Sequence, residues 1–148
     1  MSVSPEVQVA PPTLAELEAG ENLCANLSTG HFDGTGVSVT LPADVTWLYG
    51  RDGSLTAKDA RGRWLAGCSV PRLAAQTVLA RLDVVGTVAC FLVPTHAEQV
   101  RHVLDRLTSR RALILVQPDL LELIRLLCCG DFSEALRSSR LFVVTGPD

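Results

Sequence analysis

The residues with the best chemical credentials lie in two turns, Val93-Pro94-Thr95-His96 and Gln117-Pro118-Asp119. Each turn follows a short apolar run and precedes a helical pattern. An open α/β sheet holds its ligands in such places, where strand carboxyl ends meet helix N-termini. Thr95 and His96 could hold an anion at the bare start of a helix. Gln117 stands where a ribose would meet a carboxylate, and can still accept a hydrogen bond. Asp119 is a cap or a ligand contact. These four are the candidate ligand-binding residues. A dinucleotide or S-adenosylmethionine site also needs glycines at the first turn, so that backbone N–H groups approach the ligand with no Cβ between. This turn has no glycine, and Pro94 lacks a donor.

Other chemistry-bearing residues fail on spacing. His31 and Asp33 share a glycine-rich turn, but two ligands are too few for a metal. His96 and His102 stand six positions apart, on nearly opposite faces of a helix. Trp47, Tyr49 and Trp64 could form a sugar-stacking platform, although a small sheet also needs large residues in its mini-core. No Ser-His-Asp or Cys-His constellation follows from spacing, and no catalytic residue is assigned. The five cysteines (Cys24, Cys68, Cys90, Cys128, Cys129) are odd in number and contain no CxxC. They suggest neither disulfides nor zinc, but reduced and mostly buried thiols in a cytoplasmic protein. Cys128 and Cys129 are adjacent on a helix, so at most one should face the core. No cofactor and no metal are expected.

The elements that must position the two turns are legible from patterning. Residues 1–12 form a loose, proline-containing leader, and 13–36 a helix followed by a turn-rich stretch. Thr13 with Glu16 makes a capping box, and Leu14, Leu17 and Leu23 share a face. Residues 37–70 read as a small antiparallel β-meander, with strands over 37–41, 45–49, 55–58 and 63–65. Asp52-Gly53 is its hairpin signal. Residues 71–148 read as a Rossmann-like α/β half-domain. Pro71 opens a helix to about Leu82, with Leu73, Ala74, Val78 and Leu82 as its stripe. Gly86 opens the strand GTVACFLV. Thr95, boxed by Glu98, starts a helix to Ser109. Then come the strand ALILVQ, a helix over 120–129 closed by Gly130, a helical turn at 133–137 and the strand LFVVT. Right-handed crossovers make the three strands parallel neighbours. The fold class is α/β: a small antiparallel meander followed by a three-stranded parallel sheet, βαβαβ.

The chain has 148 residues, is 47% hydrophobic and carries a net charge of −3. That suffices for one real core. Lys58 is the single lysine, the arginines are scattered, and no basic face invites nucleic acid. No signal peptide is visible, and no apolar run is long enough to span a membrane.

From about Val45 onward the chain resembles the N-terminal part of the motility-associated factor family, a group linked to flagellin glycosylation. The residues that carry the resemblance are DGSLTAKDARGRWLAGCSV, GTVACFLV, ALILVQPDLLELIRLL, DFSEAL and RLFVVTGPD. Members have a glycine-rich turn after the first parallel strand and a Glu-Pro-Asp-like ending on the second. Here Val93-Pro94-Thr95-His96 and Gln117 stand in those places. Members also continue past the third strand into a region that acts on sugars. The resemblance therefore implies either an isolated N-terminal module or a piece of a longer protein cut at a boundary, with no catalytic residue to carry over.

The expected function is a noncatalytic accessory, scaffold or interaction module of a glycosyltransferase-related protein. Its expected partner is a second copy or another protein, met through an exposed sheet edge or face, and not nucleic acid or membrane. The alternative is a methyltransferase-like or nucleotide-sugar-binding domain with an atypical, glycine-free loop. A receiver-like signalling domain is disfavoured, because the strand ending at Val93 supplies no acidic cluster.

Overall fold

The computed structural model describes residues 10–81, 88–108 and 111–146. The elements are α1 (Leu14–Leu27), β1 (Val45–Tyr49), β2 (Leu55–Asp59), α2 (Pro71–Val78), β3 (Val88–Leu92), α3 (Ala97–Arg106), β4 (Ala112–Gln117), α4 (Leu120–Cys129), α5 (Ser133–Arg137) and β5 (Leu141–Thr145). A 3-10 turn over Leu65–Gly67 joins the hairpin to α2. Most of the leader, together with Leu82, Gly86, Ser109 and Asp148, lies outside the described residues.

β1 and β2 form an antiparallel hairpin, registered from Val45 opposite Asp59 to Tyr49 opposite Leu55. Its turn holds Gly53 at φ +81°, the left-handed conformation that suits glycine. The meander is smaller than its sequence suggests. Residues 37–41 make no strand; Val37 and Leu41 pack one by one against the core instead. Alternation makes a strand only where a partner offers a ladder. The expected strand at 63–65 shrinks to a single bridge between Trp64 and Lys58.

The second sheet is parallel, in the order β3-β4-β5. Both crossovers step the same way across it, so right-handed connections carry α3, α4 and α5 to one face. Burial follows. Leu113, Leu115, Gln117 and Leu141 are buried, whereas Val88, Leu92, Phe142 and Val144 on the other face are exposed. The covered face meets Val100, Val103, Leu123, Leu127 and Leu136 in one continuous core, which α1 and the hairpin join through Leu23, Trp47 and Ala57.

Three expected faces are corrected. On α1 the buried stripe is Ala15, Ala19, Leu23 and Asn26, while Leu14 and Leu17 are exposed. The small residues let the α1 backbone lie close to its neighbours. Asn26 is buried because it does capping work: its Nδ2 donates to the carbonyls of Leu127 and Gly130, each at 2.8 Å, and its Oδ1 accepts from Phe132 N–H at 2.7 Å. Asn22 donates to the Cys128 carbonyl at 2.9 Å. The end of α4 is thus closed by amides from α1, which satisfy carbonyls that a helix terminus leaves open. On α2 the buried residues are Pro71 and Ala75, and Leu73 and Val78 face outward.

The third correction concerns the thiols. Cys128 and Cys129 are both buried, because α4 is enclosed from more than one side at its C-terminal turn. Burial pushes the Cys128 thiol up to about 12 and raises Cys129 as well. The five thiols are free, but Cys24 and Cys90 are exposed, so the set is not mostly buried.

Candidate functional site

The two turns do come together at the carboxyl ends of β3 and β4. β3 leads into Val93, whose φ is +49°. Its N–H donates to the Val116 carbonyl at 2.8 Å, which fixes it there. A left-handed backbone is costly for a β-branched residue and free for glycine. The chain keeps the bend that a glycine turn would use, and adds a side chain to it.

Pro94 is buried behind this bend. Its carbonyl accepts from Gln117 Nε2 at 3.3 Å, while Gln117 Oε1 accepts from the Asp119 N–H at 3.1 Å. Gln117 is 2% exposed, so its amide straps one turn to the other from within. Asp119 caps α4, accepting from the N–H groups of Leu121 at 2.9 Å and Glu122 at 3.2 Å. At the end of β5 a Cβ on Gly146 would stand 2.6 Å from the Pro118 carbonyl oxygen.

At the first turn the helix begins later than expected. Thr95 is exposed, and both its N–H and its hydroxyl meet Gln99 Oε1, at 2.9 and 3.3 Å. The cap of α3 is His96. Its Nδ1 accepts from the Glu98 N–H at 3.1 Å. Its Nε2 therefore carries the proton and points at Thr56 Oγ1, 3.2 Å away on β2. Burial lowers the pKa of His96 to about 4; Asp52 pulls it upward and Arg101 pushes it further down. At neutral pH the ring is uncharged and offers no positive charge to an anion.

The hairpin segment covers this mouth. Thr56 rests on His96, and Leu65 of the 3-10 turn borders the N-terminal end of α3 and the flank of α4. The gap between Leu65, His96, Glu122, Arg125 and Cys129 is about 10 Å³, roughly room for one water. Arg125 pairs with Glu122 and with Asp44, just ahead of β1, closing the far side. A further cavity beside Thr95, His96 and Gln99 measures about 170 Å³. Small-molecule pockets run from about 300 Å³ upward.

Three residues outside the four candidates complete the polar cluster. Asp52 accepts from the N–H groups of Arg72 at 2.9 Å and Leu73 at 3.1 Å. It thereby caps α2, whose own cap residue Val70 has no side-chain hydrogen bond. Burial raises the Asp52 carboxyl, but hydrogen bonds from Ser54, Leu73 and Arg72 outweigh it and hold the group below its ordinary value. Glu98 is buried and pairs with Arg72 Nε at 3.4 Å. Thr56 is fully buried. Asp52 carries a local signal as the start of an Asx turn; its reach to α2 carries none.

The aromatic platform does not assemble. Trp47 is buried, Tyr49 donates to Glu18 at 2.7 Å, and Lys58 covers the Trp64 ring at 4.5 Å. Among the described residues no group of three or more His, Cys, Asp or Glu could hold a metal, and no helix is long and apolar enough to cross a membrane. His31 and Asp33 lie exposed in their turn.

Neither a family model nor a curated protein sequence matches the chain. Among solved structures it is similar to the MAf glycosyltransferase from Magnetospirillum magneticum AMB-1, with a TM-score of 0.61 and 15% identity. The match covers 91% of this chain and 28% of that one. At this identity the likeness is one of fold.

Proposed function

We propose that this chain is a noncatalytic scaffold or interaction module of a glycosyltransferase-related protein of the motility-associated factor kind. The kinship rests on the sequence resemblance and on a fold shared with the MAf glycosyltransferase. The noncatalytic reading rests on the mouth of the sheet. The crevice where such folds hold nucleotides is strapped from within by Gln117 and covered from outside by Thr56 and Leu65. Its first turn presents Val93 and Pro94 where donors would be needed.

A protein of this kind works through its surfaces, in a reducing compartment that suits five free thiols. Isothermal titration with S-adenosylmethionine, nucleoside diphosphates and nucleotide sugars tests the reading. No heat of binding is expected from any of them. Saturable binding, with amide shifts centred on Thr95 and Gln117, overturns it in favour of a nucleotide-sugar- or methyl-donor-binding domain.

A further inference from the structure

We propose that α2 is a lid, which opens from the face of α3 as a unit while the rest of the fold stays closed. The inference goes beyond the interaction-module reading and does not depend on it.

The first observation is what α2 lacks. Helices α1, α3, α4 and α5 each send buried side chains into the continuous core. None of the eight residues of α2 belongs to it. The helix buries only Pro71 and Ala75, two small side chains, and its main neighbour is α3. A segment with few buried apolar contacts opens at a lower free energy than the core does.

The second is the fit between the two helices. A cavity of about 140 Å³ lies on one flank of their contact, lined by Arg72 and Gln76 of α2 and by Glu98 and Asp105 of α3. Another, of about 170 Å³, lies on the other flank, lined by Ala74 and Val78 of α2 and by Thr95 and Gln99 around the start of α3. Close packing gives a protein interior its cohesion, and here it is interrupted on both sides of Ala75.

The third is the nature of the ties. Asp52 accepts from the N–H groups of Arg72 and Leu73, and Arg72 Nε meets Glu98 at 3.4 Å. Arg106 donates to the carbonyls of Leu79 and Ala80, at 3.0 and 3.1 Å. All but the Arg72–Glu98 pair are exposed, where water replaces lost partners at small net cost. The chain ahead of α2 is fixed as far as Ser69, whose carbonyl accepts from the Arg51 N–H at 2.7 Å. The hinge therefore falls at Val70, a cap residue with no side-chain hydrogen bond. Opening exposes the face of α3 that carries Glu98 and Gln99, beside the mouth of the sheet.

Native-state hydrogen exchange, followed by NMR over a urea series, tests this on the unmodified chain. The amides of residues 74–79 should share one protection, at least about a hundredfold below that of α4 and β4. Their urea slope should be measurable yet shallower than the global one, since a released helix exposes less surface than an unfolded chain. Gln76→Pro is the second test, because proline breaks a helix interior. It should unfold α2 alone and leave the amide shifts of α4, β4 and β5 in place.

Protection and slope equal to those of α4 overturn the proposal, because α2 then opens only with the whole fold. Graded protection with no urea slope overturns it too, being fraying rather than release. So do α3 amides that open together with α2, and a Gln76→Pro spectrum that collapses throughout. None of these outcomes bears on the ligand titration, which alone tests the noncatalytic reading.

Discussion

His96 Nε2 lies 3.2 Å from the hydroxyl of Thr56, 40 residues earlier in the chain. The contact pins the hairpin to the first turn of α3, and the cap that the same ring makes through Nδ1 needs it neutral. Protonating Nδ1 would abolish the cap on the Glu98 N–H. The folded pKa of about 4 lies below the ordinary 6.5. Above pH 6.5 both folded and unfolded rings are neutral and the contribution is complete. As pH falls from 6.5 to 4 the unfolded chain takes up a proton that the folded chain refuses. Stability then drops by about 3 kcal/mol, and this loss ends near pH 4. Urea unfolding across that window should show the slope. His96→Asn, which keeps an acceptor for the cap, should flatten it.

Asp52 should act on the same histidine from the side. Its charge pulls the His96 pKa upward, so Asp52→Asn should move the imidazole titration, followed by NMR, to lower pH. Asp52→Ala removes the α2 cap as well, and should cost about 1–2 kcal/mol by urea denaturation. An unchanged titration in Asp52→Asn would mean that the two groups are electrostatically independent.

Asn26 makes three hydrogen bonds with no exposure. Asn26→Ala leaves two buried carbonyls and one buried N–H without partners, and should cost about 2–4 kcal/mol. Asn26→Asp should be at least as harmful near neutral pH, because a buried carboxylate would face the Leu127 and Gly130 carbonyls. A loss below about 0.5 kcal/mol in Asn26→Ala would show that water takes over these partners.

Much of the fold was legible because periodicity reports burial. The runs ALILVQ and LFVVT became β4 and β5 residue for residue, Val88–Leu92 of the run GTVACFLV became β3, and Asp52-Gly53 turned the hairpin. The faces of α1 and α2 were not legible. A leucine scores as core wherever it falls, yet Ala15 and Ala19 are what let α1 approach closely, leaving Leu14 and Leu17 outside. The site was half legible. The missing glycines announced an unusual turn, but the strap from Gln117 to Pro94 and the hairpin over His96 join residues far apart in sequence, which local pattern does not encode.

Val93 offers the sharpest test of the turn itself. A non-glycine residue in the left-handed region costs about 1–2 kcal/mol, whereas glycine costs about 0.5–1 kcal/mol in unfolded-state entropy. Val93 is 53% exposed, so truncating it forfeits little packing. Val93→Gly should therefore be neutral to stabilising, by up to about 1 kcal/mol, with a matching rise in Tm. Val93→Ala keeps its Cβ and should gain nothing. The glycine variant should still bind no nucleotide, because the Pro94 carbonyl, the Gln117 strap and the cover from Thr56 and Leu65 all remain in place. If Val93→Gly instead destabilises the protein by more than about 1 kcal/mol, the side chain makes contacts that outweigh the strain of its backbone.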